Sequence, residues 1–180
     1  MKDKTIKRPA AFIDRDGTLV EEVNFLSRVE DLRLFPSTLE AISLLKQRGY
    51  WIVVVTNQSG IGRRIYSESD MRSIHNEMQD RLDGAIDAFY FCPHLPDEGC
   101  RCRKPALGMI EDAVSDLNIK LEGSWMIGDK KIDVETGQNA GISSALVLTG
   151  YGSKHLASLE RRPEVVATDL LEAVKRIVQD

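Results

Sequence analysis

The run Trp51-Ile52-Val53-Val54-Val55 contains no polar side chain. A strand of that composition offers no face to water, so it has to be covered on both sides, as strands are in parallel sheets with helices packed above and below. The rest of the chain supplies such helices. Short β-branched or aromatic runs alternate with segments of helical period, the pattern of βαβ units. Strands are expected at Ala10–Ile13, at 51–55, at Phe89–Phe91, at Trp125–Ile127, at Ala145–Leu148 and, more weakly, at Val165–Val166. Helices are expected from Ser37 to Arg48, Ser67 to Leu82, Leu107 to Leu117, Ile132 to Asn139 and Leu170 to Val178. Ser37 and Glu40 stand at capping-box spacing and Gly49 closes that helix. The fold class is therefore α/β, a parallel sheet with helices on both faces.

A chain of 180 residues suits one globular domain over residues 1–180, and 42% hydrophobic with 29% charged residues excludes a disordered or fibrous chain. The formal net charge of −4, with no dense basic stretch, argues against nucleic acid as a partner. The 51–55 run is far short of the ~20 residues of a membrane helix. The polar start MKDKTIKRP lacks the apolar core of a signal peptide, so a cytoplasmic protein without membrane contact is expected.

Three polar clusters each lie at the carboxyl end of a predicted strand: Asp14-Arg15-Asp16-Gly17-Thr18, Thr56-Asn57-Gln58-Ser59-Gly60, and Gly128-Asp129-Lys130-Lys131. In open parallel sheets the carboxyl edge at the topological switch point is where ligands bind, so the clusters converge. Asp14 and Asp16 lie two apart, and in an extended chain their carboxylates would share a face and repel unless a cation lay between them.

All three cysteines fall within one short segment, Cys92-Pro93-His94 to Cys100-Arg101-Cys102. Cys92, His94, Cys100 and Cys102 supply four sulfur and nitrogen ligands, a set suited to a closed tetrahedral Zn²⁺ site, with buried free thiols as the alternative. Four protein ligands leave zinc no open position, which makes such an ion structural. It would pin a loop without periodicity and aim Arg103-Lys104-Pro105 toward the strand ends. His75 and His155 read as surface or packing histidines without partners.

With Thr56-Asn57, Lys104 and Asp129 following in order along an alternating chain, the sequence resembles the haloacid dehalogenase superfamily of phosphotransferases over nearly its whole length. Asp14-Arg15-Asp16-Gly17-Thr18 is similar to its first motif, Thr56 to its second, Lys104 to its third, and Asp129 with Asp133 to its fourth. The resemblance implies a Rossmann-like sheet with the first-motif strand at its centre, and Asp14 as the nucleophile that forms an aspartyl-phosphate. A carboxylate attacks a phosphate dianion only when their charges are offset, which suits Mg²⁺ and Lys104. The carboxylates of Asp14 and Asp129 and, by the resemblance, the backbone carbonyl of Asp16 would hold the ion. The Asp16 carboxyl is left to protonate the leaving alkoxide and later to activate water. Thr56 and nearby backbone N–H groups would bind the phosphoryl oxygens. A signalling phosphoacceptor domain would keep its aspartyl-phosphate, and Asp16 argues against that reading; intact Asp14, Asp16, Lys104 and Asp129 argue against a zinc-stabilised module without turnover.

Within the superfamily the zinc segment, Thr56 to Ile61 and Gly128-Asp129-Lys130 resemble two groups, the D-glycero-D-manno-heptose 1,7-bisphosphate 7-phosphatases and the histidinol-phosphate phosphatases. The short interval from His94 to Cys100 is similar to the second group, whereas Ser59-Gly60-Ile61-Gly62-Arg63 and Gly108-Met109 are similar to the first, which is preferred. That resemblance implies substrate contacts from Glu22, Val23, Asn24, Phe25, Thr56, Asn57, Gln58, Ser59, Arg103, Lys104 and Lys130. Glu22 to Phe25 departs from the polar, aromatic-ended run expected of the group. Arg63, Arg103 and Lys130 are candidate cations for a second phosphate, with a solvated loop charge as the alternative at Arg63 and Lys130. The intervals 17–36 and 58–103 are too short for a separate cap domain, so the substrate is a small phosphorylated metabolite in an open site, and a monomer is favoured.

Overall fold

The computed structural model of the chain describes residues 7–179. Most of the polar start on which the expectation of no leader rests, residues 1–6, lies outside them. Six strands form one parallel sheet in the order β3-β2-β1-β4-β5-β6: β1 Ala10–Ile13, β2 Trp51–Asn57, β3 Ala88–Cys92, β4 Trp125–Gly128, β5 Ser143–Val147 and β6 Val165–Ala167. β1 is central, with Phe12 paired to Val53 of β2 on one side and to Met126 of β4 on the other. The chain order reverses direction there, which makes the crevice beyond the ends of β1 and β4 the ligand position of such a sheet.

Both faces are covered, as the 51–55 run requires. Ile52 and Val54 point into a cluster with Ala11, Ile13, Ile42, Leu45, Ile74 and Val174. Trp51, Val53 and Val55 point into the opposite cluster with Phe12, Met109, Ile110 and Ala113. The first cluster is roofed by α1 (Thr38–Gln47), α3 (Glu68–Arg81) and α7 (Leu170–Ile177), and the second by α4 (Gly108–Leu117); α5 (Lys131–Asn139) follows β4 and packs on β4 and β5. Two one-turn helices, α2 (Ser59–Gly62) and α6 (Gly152–Leu156), were not foreseen. Each is too short to establish a period, and α2 is half glycine.

Local chemistry differs from expectation at three points. Ser37 does not cap α1: its backbone is helical (φ −87°, ψ −1°), where a side-chain cap needs an extended residue, and no such bond forms. A capping box does form at Ser67 and Asp70, opening α3. Strand β5 begins at Ser143, not Ala145, because Glu164 accepts hydrogen bonds from both the N–H and the hydroxyl of Ser144 and so satisfies a buried polar residue. His155 is not without a partner: its Nδ1 accepts the Lys131 N–H at 2.9 Å, filling one orphan donor at the start of α5.

Residues 14–37 contain one 3-10 turn (Val29–Asp31) and are anchored by the fully buried Leu19 and Val20. No helix among the described residues is long and apolar enough to cross a membrane. Phe12 fills the centre of the second cluster with no solvent exposure. Phe12→Ala is expected to cost ~3–5 kcal/mol of stability, checked by urea unfolding monitored by circular dichroism.

Candidate active site

Asp14 follows β1 directly and is tied to the neighbouring strand by its N–H, which donates to the Ile127 carbonyl at 2.9 Å. Its Oδ1 accepts from Lys104 Nζ at 2.8 Å. The same ammonium donates to Asp133 Oδ1 at 2.6 Å and to the Val55 carbonyl at 2.9 Å, so its three protons are all used in a fully enclosed position. Burial disfavours the charged lysine, but Asp133 and Asp14 outweigh it and raise the Lys104 pKa. Burial likewise opposes ionisation of Asp14, yet Lys104 and Lys130 hold its pKa below the usual range. The result is an ionised carboxylate beside a permanent cation at the end of the central strand.

Asn57, at the end of β2, fixes the lysine's backbone from both sides: its Oδ1 accepts the Lys104 N–H at 3.0 Å and its Nδ2 donates to the Lys104 carbonyl at 3.2 Å. Asp133, on the first turn of α5, also accepts the Lys130 N–H at 2.9 Å through Oδ2. Both of its oxygens are committed.

Asp129 is different. Its Oδ2 accepts the Tyr151 N–H at 2.8 Å, but its Oδ1 is buried with no hydrogen-bond partner; the nearest cation, Lys130 Nζ, stands at 3.8 Å. Burial, then the charge of Asp14, push the Asp129 pKa up to about 8. The backbone is built around this carboxylate. Gly17 (φ +84°) and Gly150 (φ +52°) pass so close that a Cβ on either would sit 2.3 Å from Asp129 Oδ2. Asp14, Asp129 and Asp133 offer oxygens within 4.8 Å of one another. An orphaned oxygen among carboxylates that cannot comfortably all ionise is the donor set of a hard divalent cation, so the residues fit Mg²⁺.

Asp16 and Lys130 lead from this cluster to a polar cleft, lined also by Glu22, Val23, Asn24, Phe25, Asn57, Gln58 and Ser59, all of which the sequence had singled out; Asp14, Thr56, Lys104 and Asp129 do not line it. Arg15, Leu26, Gly60 and Tyr66 line it as well and had not been assigned a place. Lys130 reaches across the cleft to Glu22 at 3.0 Å and sits 5.3 Å from the centre of the Tyr151 ring. Phe25 holds a left-handed backbone (φ 57°), uncommon for a bulky residue, at the cleft wall. Arg103 does not line the cleft; it borders a neighbouring apolar hollow with Pro105 and Ile132 and donates to the His94 carbonyl at 3.2 Å. Arg63 is exposed and also outside the lining.

Gln58 and Thr56 are buried. The Gln58 amide is saturated inside the protein: Nε2 donates to Asp16 Oδ2 and Thr56 Oγ1, both at 2.8 Å, and Oε1 accepts from Arg15 at 3.0 Å and Tyr66 at 2.5 Å. Its side chain therefore serves its neighbours in the protein. His75, read from the sequence as lacking a partner, stacks on Phe89 at 4.4 Å and lies 3.3 Å from Arg15 Nη1.

The cysteine loop leaves the sheet at Cys92, the last residue of β3, whose carbonyl accepts the Gln58 N–H at 2.7 Å. Cys92 Sγ lies 3.5 Å from Cys100 Sγ and 3.6 Å from His94 Nδ1; Cys102 Sγ lies 3.5 Å from Cys100 Sγ and 3.2 Å from His94 Nδ1. A tetrahedron with metal–sulfur bonds of ~2.3 Å has edges of ~3.8 Å, so the four atoms are near the corners of one. The next turn delivers Lys104 to Asp14.

Residues 101–173 match a family model described as HAD-hydrolase-like. A D-glycero-D-manno-heptose-1,7-bisphosphate 7-phosphatase of Thermosynechococcus vestitus is 37% identical, covering 94% of this chain and 95% of the relative. A D-glycero-beta-D-manno-heptose-1,7-bisphosphate 7-phosphatase of Haemophilus ducreyi is 34% identical over 93% and 97%. Among solved structures, a D,D-heptose 1,7-bisphosphate phosphatase from B. bronchiseptica complexed with magnesium and phosphate is similar with a TM-score of 0.88 and 32% identity, covering 95% of this chain and 98% of that one.

His75 supplies a pH test. Burial, then the charges of Arg15 and Arg72, lower its pKa to about 3 from 6.5. The unfolded chain then binds a proton that the folded one refuses, so this group's contribution to stability is complete above pH 6.5 and is lost as pH falls toward 3. His75→Phe is expected to reduce the acid-side slope of unfolding free energy against pH by up to ~1.4 kcal/mol per unit, measured by denaturant titrations of both proteins.

Proposed function

We propose that this chain, which belongs to the HAD-like phosphatases and within them to the heptose-bisphosphate phosphatase family, removes the 7-phosphate of D-glycero-D-manno-heptose 1,7-bisphosphate. The observation that carries the reading is the Asp14–Lys104 pair with the unbonded Asp129 Oδ1, the chain neighbours of these aspartates, Asp16 and Lys130, lining a polar cleft. Asp14 and Asp129, with the backbone carbonyl of Asp16, would hold Mg²⁺. When bound, the ion offsets the negative charge that otherwise keeps a phosphate dianion from a carboxylate.

Asp14 then attacks phosphorus in line with the ester bond, Lys104 holding the nucleophile in place as the alkoxide departs. Asp16 gives that oxygen its proton. In the second half, Asp16 takes a proton from the water that attacks the aspartyl-phosphate; phosphate leaves and the Asp14 carboxylate returns. The Thr56 hydroxyl and the N–H groups of the first motif bind the phosphoryl oxygens as charge moves onto them. Glu22 to Phe25, Ser59 and Lys130 are proposed to contact the sugar and its remaining phosphate, with Asn57 and Gln58 acting through the groups they hold; Arg103, tied to the His94 carbonyl outside the cleft, is not among these contacts. Zn²⁺ on Cys92, His94, Cys100 and Cys102 is proposed as structural: the loop it ties has little apolar core of its own.

The test is phosphate release with Mg²⁺ from the α and β anomers of heptose 1,7-bisphosphate and from histidinol phosphate. A hundredfold or greater advantage in kcat/KM for one heptose anomer, ~2.7 kcal/mol of transition-state discrimination, is expected. A comparable advantage for histidinol phosphate overturns the substrate assignment. Asp14→Asn is expected to abolish turnover on every ester while leaving the circular dichroism spectrum and zinc content unchanged. Cys100→Ser is expected to lower zinc content, read by elemental mass spectrometry, and the melting temperature, with little change in Mg²⁺ affinity.

A further inference from the structure

Among the described residues Arg15 is the largest fully buried side chain. A guanidinium carries five N–H donors that burial leaves in need of partners, and four contacts take up four of them. Nε donates to Asp16 Oδ1 at 3.0 Å; Nη2 donates to Asp16 Oδ2 at 2.9 Å and to Gln58 Oε1 at 3.0 Å; Nη1 lies 3.3 Å from His75 Nε2. Since a guanidinium only donates, His75 must be neutral and accept through Nε2. Its burial against Phe89 keeps it so. His75 therefore fixes the far side of the guanidinium from α3, and Gln58, itself held by Tyr66 and Thr56, fixes the near side.

The fork leaves the Asp16 carboxyl with unequal oxygens. Oδ2 accepts two bonds, from Arg15 and from Gln58 Nε2 at 2.8 Å, which fills both of its lone-pair positions. Oδ1 accepts one, from Arg15 Nε, and keeps one position open. Asp16 retains a little exposure, and it lines the cleft. We infer that Arg15, braced by His75, is the positioning residue for the acid–base carboxyl, and that it selects Oδ1 as the atom that carries the transferable proton. The inference rests on the assignment of Asp16 under the proposed function. In the first half-reaction the Oδ1–H bond breaks, its proton passes to the departing alkoxide oxygen, and the electron pair stays on the carboxylate, where three donors already await it.

A structural role for Arg15 and a positioning role separate by leaving group. Aryl phosphates release a stable phenolate that needs no proton, whereas alkyl phosphates depend on the acid. The experiment measures kcat/KM, which covers steps up to release of the alcohol, on p-nitrophenyl phosphate and on the alkyl ester that the wild-type protein turns over fastest among heptose 1,7-bisphosphate, histidinol phosphate and glycerol phosphate. For Arg15→Lys and His75→Phe the alkyl ester is expected to lose about 30-fold or more and the aryl ester less than about threefold. His75→Gln, which keeps an acceptor, is expected to return most of the loss. His75→Phe preserves the ring stack, so it decides the matter if Arg15→Lys does not fold. Equal losses on both esters, or none on either, overturn the positioning role. Asp16→Asn run alongside keeps the two readings apart. Without a leaving-group bias in that variant the acid assignment itself falls, and the positioning role with it; with the bias there but absent from the Arg15 and His75 variants, only the positioning role falls.

Discussion

One buried ammonium joins elements that are distant in the chain. Lys104 Nζ binds a carboxylate after β1, a carbonyl of β2 and a carboxylate of α5, and the loop that carries it hangs between β3 and α4. Each of its acceptors lies 29 or more residues away. Removing one partner of such a set would leave an uncompensated charge inside the protein, which typically costs ~3–5 kcal/mol, so the strands, α5 and the cysteine loop are held to one mutual arrangement. One of the three bonds also holds Asp14 in place, and the same charge, with that of Lys130, lowers its pKa. Stability and reactivity are here one set of contacts.

Around that cation the site divides its carboxylates by environment. Asp14 is ionised by lysine; Asp133 is consumed in holding that lysine and the start of α5; Asp129 is left with one bare oxygen and a raised pKa where Gly17 and Gly150 pass too close to carry side chains. Asp16, on the cleft wall, is instead gripped by a guanidinium. Four acids of similar intrinsic pKa thus receive four different environments from their neighbours, the condition under which the nucleophilic and acid–base steps proposed above can share one site.

Much of this was legible in the chain. The 51–55 run required a sheet covered on both faces, and the structure provides it. The polar residues ending β1, β2 and β4 meet because parallel strands bring their carboxyl ends to one edge. The clustered cysteines could be read as one ligand set because the four positions span only Cys92 to Cys102. What escaped were features without a period or a pattern: the one-turn helices α2 and α6, the failed cap at Ser37, the glutamate that lets β5 start on two serines, and the partners of His75 and His155.

The sequence by itself determined the class of fold, the edge at which chemistry collects and the residue types that collect there, because hydrophobic period and strand-end composition are local properties. Tertiary structure alone decided how those residues divide the work. Asp129 and Asp133 are four apart on one short segment and identical in type, yet Asp133 is bonded through both oxygens and Asp129 through only one. Arg15 could as well have been a solvated loop charge; its enclosure beside Gln58 and His75 joins residues 43 and 60 positions distant. A carboxylate's pKa and a proton's place on it depend on burial and on charges a few ångströms away, and those distances exist only once the chain has folded.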